Sequence, residues 1–155
     1  MNATLCLGIG NRFRRDDGAG PALAAALAAH TLPGVTVRTL SGEGAGLVEA
    51  FATAPRVFVF DAVASGAAPG TVHRIDAHAG SVPRGFFAYS SHAFSLAEAI
   101  ELARALDALP ATLRVYGIEG SDFGAGEGLS APVAAAVAAL VDEVVAMLAG
   151  AQAHA

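Results

Sequence analysis

Three carboxylates and one imidazole are the side chains best placed to do chemistry: the adjacent Asp16 and Asp17, then Asp61, then His92. The first two follow an apolar run through Gly8, Gly10 and Asn11 and precede Gly18, Gly20 and Pro21, in a turn from a strand to an alanine-rich helix. Ligands in open α/β sheets bind outside the carboxyl ends of strands, so glycines that tighten such a turn prepare it for a ligand. A phosphate-binding turn offers bare N–H groups to an anion. This one offers two acids, which points to metal or proton chemistry. Adjacent residues cannot share one direction, so one acid faces the site while the other caps the following helix, or both simply serve the helix dipole. Asp61 closes the strongest strand-like run, residues 56–60 (RVFVF), at its carboxyl end, where it either enters a site or bonds the turn over 62–66. His92 lies in a loop beside Ser90 and Ser91, just before a helix, and a lone loop histidine is as readily a surface residue. Together, two carboxylates and one imidazole make an O,O,N set that suits a borderline divalent ion and leaves positions open for substrate or water.

Competing chemistries find less support. Ser41, Ser65, Ser90 and Ser91 lack a nucleophile-elbow context. The pair Gly8 and Gly10 has no third glycine in register for a dinucleotide, and the acids would repel pyrophosphate. All nine basic residues are arginine, so lysine chemistry is excluded, and the net charge of −5 argues against a nucleic-acid partner. The single cysteine, Cys6, sits between leucines and reads as packing. His30, His73, His78 and His154 occupy a helix end, a strand, a loop and the tail, and are weaker candidates. No basic leader precedes the first apolar run. The apolar C-terminal helix carries Asp142 and Glu143, so no membrane span and a cytoplasmic location are expected.

The elements that must position these residues follow from periodicity. With 155 residues, 54 % hydrophobic and 15 % charged, one domain over 1–149 with a frayed tail at 150–155 is expected. Strands are expected over 4–9, 35–40, 56–60, 71–76 (antiparallel to its neighbour) and 113–118, with a short edge element at 86–89. Helices are expected over 21–30, 47–53, 95–108 and 130–147, with Ser95 and Glu98 as a capping box and Ser130 as a cap. Residues 41–46 and 119–128 read as glycine-rich loops. This alternation implies an α/β fold: a three-layer α/β/α sandwich around a twisted, mostly parallel sheet of about five strands.

At this point the blocks Leu7-Gly-Ile-Gly-Asn11 and Asp16-Asp17-Gly18-Ala-Gly20 resemble the start of the nickel–iron hydrogenase maturation endopeptidases. Val59-Phe-Asp-Ala-Val63 with Pro69-Gly70, then Ser90-Ser-His-Ala93, then Gly117-Ile-Glu119, match in the same order across almost the whole chain. The resemblance implies a peptidase that trims the C-terminal extension of a hydrogenase large-subunit precursor after nickel insertion. It implies nickel contacts from Asp17, Asp61 and His92, with the ion carried in by the substrate. Asp17 stands where some members have Glu, one methylene longer. Asp16 is expected as a supporting acid or helix cap, and Glu43 as the polar contact of a substrate loop. A monomer is expected. The alternatives are a self-metallated zinc hydrolase using the same trio, and a non-catalytic metallochaperone or binding module.

Overall fold

Strand β1 (Thr4–Ile9) buries all six of its residues, as a parallel strand covered on both faces must. Side chains alternate across a strand, so Leu5, Leu7 and Ile9 join one core while Cys6 joins the other. The computed structural model describes residues 3–87 and 94–153. Around β1 lie β2 (Val35–Leu40), β3 (Arg56–Val63), β5 (Thr112–Glu119) and β4 (Val72–Asp76), in the sheet order β2-β1-β3-β5-β4. All neighbours are parallel except β4, which runs antiparallel to β5 at the edge. Helices α2 (Gly44–Phe51) and α3 (Leu96–Ala105) cover the face of Leu7, Val57 and Val59, through Leu47, Phe51, Leu96 and Ile100. Helices α1 (Ala19–Ala28) and α4 (Ala131–Ala153) cover the face of Cys6, Phe58 and Tyr116, through Leu23, Leu27, Val137, Leu140 and Val144. The three-layer sandwich is therefore as expected.

Strand β2 flanks β1 on one side and β3 on the other, so the chain reverses its direction of travel through the sheet between β1 and β3. A crevice opens at the carboxyl ends of strands where the order reverses in this way. Asp17 follows β1 and Asp61 lies on β3, so both belong to that crevice.

Several boundaries differ from expectation. Strand β3 continues past Asp61 to Val63, because its pairing with β5 runs on to Val63–Glu119 after β1 has stopped at Ile9. Asp61 is thus inside β3, at the point where one of its two neighbours ends. Helix α2 starts at Gly44 rather than 47, and the loop assigned to 41–46 is correspondingly shorter. Ser95 stands at the N-cap of α3 without a cap bond, and its hydroxyl instead approaches Glu98 at 3.5 Å, so the capping box is not formed. Residues 84–87 form a 3-10 turn where an edge strand was expected, while Tyr89 lies outside the described residues. Helix α4 runs past Met147, and its segment Ala131–Gly150 is long and apolar enough to cross a membrane. In this fold its stripe of Val133, Val137, Leu140, Val144 and Leu148 is buried in the second core.

The approach of α1 to the sheet depends on Gly20. A Cβ there would stand 2.3 Å from the carbonyl oxygen of Ile9 and 2.5 Å from that of Phe60, both backbone atoms that cannot move aside cheaply. Gly20→Ala is expected to destabilise the fold by about 1–3 kcal/mol. At roughly 2–4 °C per kcal/mol for a domain of this size, a thermal melt reads that as a Tm lower by several degrees.

Candidate functional site

A cleft of about 1130 Å³ opens at the carboxyl ends of β1 and β3, and both Asp17 and Asp61 line it. Its walls include Asn11 to Arg15 on one side, Thr39 to Gly42 on another, and Val63, Ala64 and Phe86 beyond Asp61. Asp17 stands in a 3-10 turn, Arg15–Gly18, that separates β1 from α1. The backbone N–H of Asn11 donates to its Oδ2 at 2.9 Å, which fixes the carboxylate against the loop it follows. Burial raises the pKa of Asp17, and the Asn11 bond and the Arg14 charge offset this only in part.

Asp61 is only 7 % exposed. Burial pushes its pKa well above the ordinary carboxylate value, the charge of Asp17 pushes it further, and a bond from the Ala62 backbone offsets little. The two acids are therefore close enough to repel. Each holds its proton more tightly than a free carboxylate, and a cation placed between them would relieve both penalties. The donor chemistry thus fits a divalent ion.

His92, the third expected ligand, lies outside the described residues. Among the described residues no three His, Cys, Asp or Glu side chains gather as a metal-binding set.

Asp16 turns the opposite way from Asp17 and has a different function from a cap on its own helix. Its carboxylate is fully buried and accepts the backbone N–H groups of Ser121, Asp122 and Ser130 at 2.8–3.0 Å, with the Ser130 hydroxyl at 2.8 Å. Burial alone would raise its pKa, but these bonds more than offset that and hold it below the usual value. It therefore clamps the loop between β5 and α4. The clamp is extended by backbone bonds from Arg15 N–H to Gly126 and from Gly126 N–H to Phe13. The Ser130 hydroxyl, expected as a helix cap, is given to Asp16.

Glu43 is placed by the structure as the N-cap of α2, its carboxylate accepting the N–H groups of Ala45 and Gly46 at 2.8 and 3.1 Å. An acid before the first turn also favours the helix dipole. Within residues 41–46 the cleft is lined by Ser41 and Gly42. Cys6 is fully buried, and burial pushes its thiol up to about 12, so it is no nucleophile.

One acid escaped the sequence reading of single residues. Glu119 was assigned to a loop, yet it ends β5, is 2 % exposed, and accepts the Ser65 N–H at 2.9 Å and hydroxyl at 2.5 Å, with His73 Nε2 at 3.1 Å. Burial raises its pKa, and the bonds from Ser65 and His73 bring it below the ordinary value. The position of an acid at the carboxyl end of a strand, the same signal that marked Asp61, would have found it. Glu119 holds the β3–β4 connection as Asp16 holds the β5–α4 loop, so two buried carboxylates frame the cleft that Asp17 and Asp61 occupy.

Comparison with known proteins follows the same lines. Residues 22–147 match the family model described as HycI, hydrogenase maturation protease. The hydrogenase expression/formation protein HupD of Thiocapsa roseopersicina is 36 % identical over an alignment of 127 residues that covers 77 % of this chain. The chain spans 57 % of the length of that relative. An endopeptidase from Escherichia coli superposes with a TM-score of 0.83 at 25 % identity, covering 96 % of this chain and 93 % of its own. The [NiFe] hydrogenase maturation protease HycI from Thermococcus kodakarensis KOD1 shares the fold, with a TM-score of 0.74 at 21 % identity over 95 % of this chain and 92 % of its own.

Proposed function

The chain belongs to the hydrogenase maturation protease family, and on that premise we propose that it is an endopeptidase removing the C-terminal extension of a nickel–iron hydrogenase large-subunit precursor. Nickel already inserted in the precursor is the recognition element and arrives as part of the substrate. Asp17 and Asp61, with His92, take the ion and so bring the scissile peptide to the cleft. The observation that carries this reading is the pair of desolvated, mutually repelling carboxylates on one cleft, whose raised pKa values a divalent cation relieves.

The chain's own part in the reaction is then to bind, orient and move a proton. Arrival of the cation displaces the protons that the pair retains, since ligands bind metal in their deprotonated form. A carboxylate with a raised pKa is also suited to take a proton from water near neutral pH. Asp16 and Glu119 touch neither ion nor peptide; they hold the loops on which the reacting groups stand. We place the reaction in the cytoplasm, where Cys6 stays reduced, and take the enzyme to act as a monomer.

Incubation with a nickel-loaded and an apo precursor tests the reading. Cleavage of the loaded form alone is expected. Equal cleavage of both, or of neither, would overturn it. Purified protein is expected to hold almost no metal, and stoichiometric zinc would favour a self-metallated hydrolase instead.

A further inference from the structure

We infer that the side-chain amide of Asn11 is a catalytic hydrogen-bond donor that holds the scissile carbonyl oxygen as it becomes an oxyanion, an inference that rests on the processing reading above. Asn11 lines the cleft that Asp17 and Asp61 share. Its backbone N–H donates to Asp17 Oδ2 at 2.9 Å, so the residue and the acid are held side by side. Its Oδ1 accepts the Phe13 N–H, also at 2.9 Å. A backbone N–H needs an oxygen acceptor, so this bond settles which end of the amide is which. Nδ2 is then the donor end of the amide, and it has no hydrogen-bond partner among the described residues.

The backbone before it is equally constrained. Gly10 adopts φ +143°, donates its N–H to Leu40, and leaves no room for a Cβ, which would meet the Asp17 carbonyl oxygen at 2.0 Å. A donor fixed on both sides, neutral, and beside the acids is suited to stabilise charge that appears only in the transition state. An arginine there would instead pair with Asp17.

In the step itself, water adds to the carbonyl carbon and gives its proton to one of the carboxylates. The carbonyl π pair moves onto oxygen, where Nδ2–H donates to it. Collapse re-forms the C=O bond and breaks the C–N bond, and the departing nitrogen takes the pair and a proton from the carboxylate. A carboxyl group and an amine result.

Asn11→Ser and Asn11→Asp test this, since both retain an oxygen for the Phe13 N–H while neither can place an amide donor in the cleft. With nickel-loaded precursor, single-turnover cleavage is expected to fall about 10²–10³-fold in both variants. Binding of that precursor, measured separately, is expected to change by no more than about threefold, because the bond forms only in the transition state. Thermal melts verify that each variant is folded. Cleavage within about threefold of the parent in either folded variant, or a loss fully matched by weaker binding, would overturn the assignment. A parent protein that cuts no precursor overturns the processing reading and this inference together; a parent that cuts as well as its Asn11 variants overturns this inference alone.

Discussion

Asp61→Asn is expected to abolish processing and, at neutral pH, to make the protein more stable. Loss of a proton acceptor of this kind lowers turnover about 10²–10⁴-fold. The stability gain follows from linkage. Because burial and the neighbouring Asp17 raise the Asp61 pKa in the fold, the native protein keeps a proton that the unfolded chain releases above its ordinary value near 3.8. Over that window the unfolded state binds fewer protons, so stability falls as pH rises through it, and the whole penalty is present above the folded pKa. Asparagine has nearly the same shape and never ionises. The parent and variant should therefore melt at similar temperatures below the ordinary carboxylate range and diverge as pH climbs. At pH 7 a higher Tm is expected for the variant than for the parent. Melting curves across pH check this; a variant less stable than the parent at every pH would show that Asp61 is not under electrostatic strain.

Asp16→Ala is expected to have the opposite sign and the larger effect on stability. It removes the shared, fully buried acceptor of the part-buried N–H groups of Ser121, Asp122 and Ser130. Hydrogen bonds to a charged acceptor contribute about 1.5–3 kcal/mol each, so a loss of about 3 kcal/mol or more is expected, with faster amide exchange at those three residues. The linkage sign also reverses. Asp16 has a depressed folded pKa, so its contribution is present above the ordinary carboxylate range and is lost as pH falls through the folded value. The variant should lack that part of the acid sensitivity. Unchanged exchange at Ser121 and Ser130 would refute the clamp.

These two neighbours, Asp16 and Asp17, also show what can be read from a chain and what cannot. The sheet was legible because it is written in local alternation: Leu5, Leu7 and Ile9 against Cys6 needs no knowledge of any distant residue. The pairing of Asp17 with Asp61 was legible too, because topology carries strand ends to one edge. Asp16 was harder. Its partners are 105 to 114 residues away, and nothing in Arg-Asp-Asp-Gly says which acid turns inward. Glu119 was hidden for the same reason, its bonds spanning 46 and 54 residues. The start of α2, with Glu43 as its N-cap, is a different kind of miss. The cap bonds are local, but Gly44 and Gly46 disguise the first turn of α2 as loop, since glycine disfavours a helix interior.

The bonds that join the rim of the cleft have a consequence for how such an enzyme changes its substrate. Arg15 and Gly126 are tied through peptide groups, as are Gly126 and Phe13, so this stretch of the rim is joined without help from the exposed side chains of Arg12, Phe13 and Glu127. Phe13 is 55 % exposed, and the bridge from Arg12 to Glu127 is solvent-facing and worth little to stability. Frame and lettering are thus separate. On the proposed reading, a new precursor would be met by rewriting those side chains while the peptide scaffold, and the acids behind it, stay where they are.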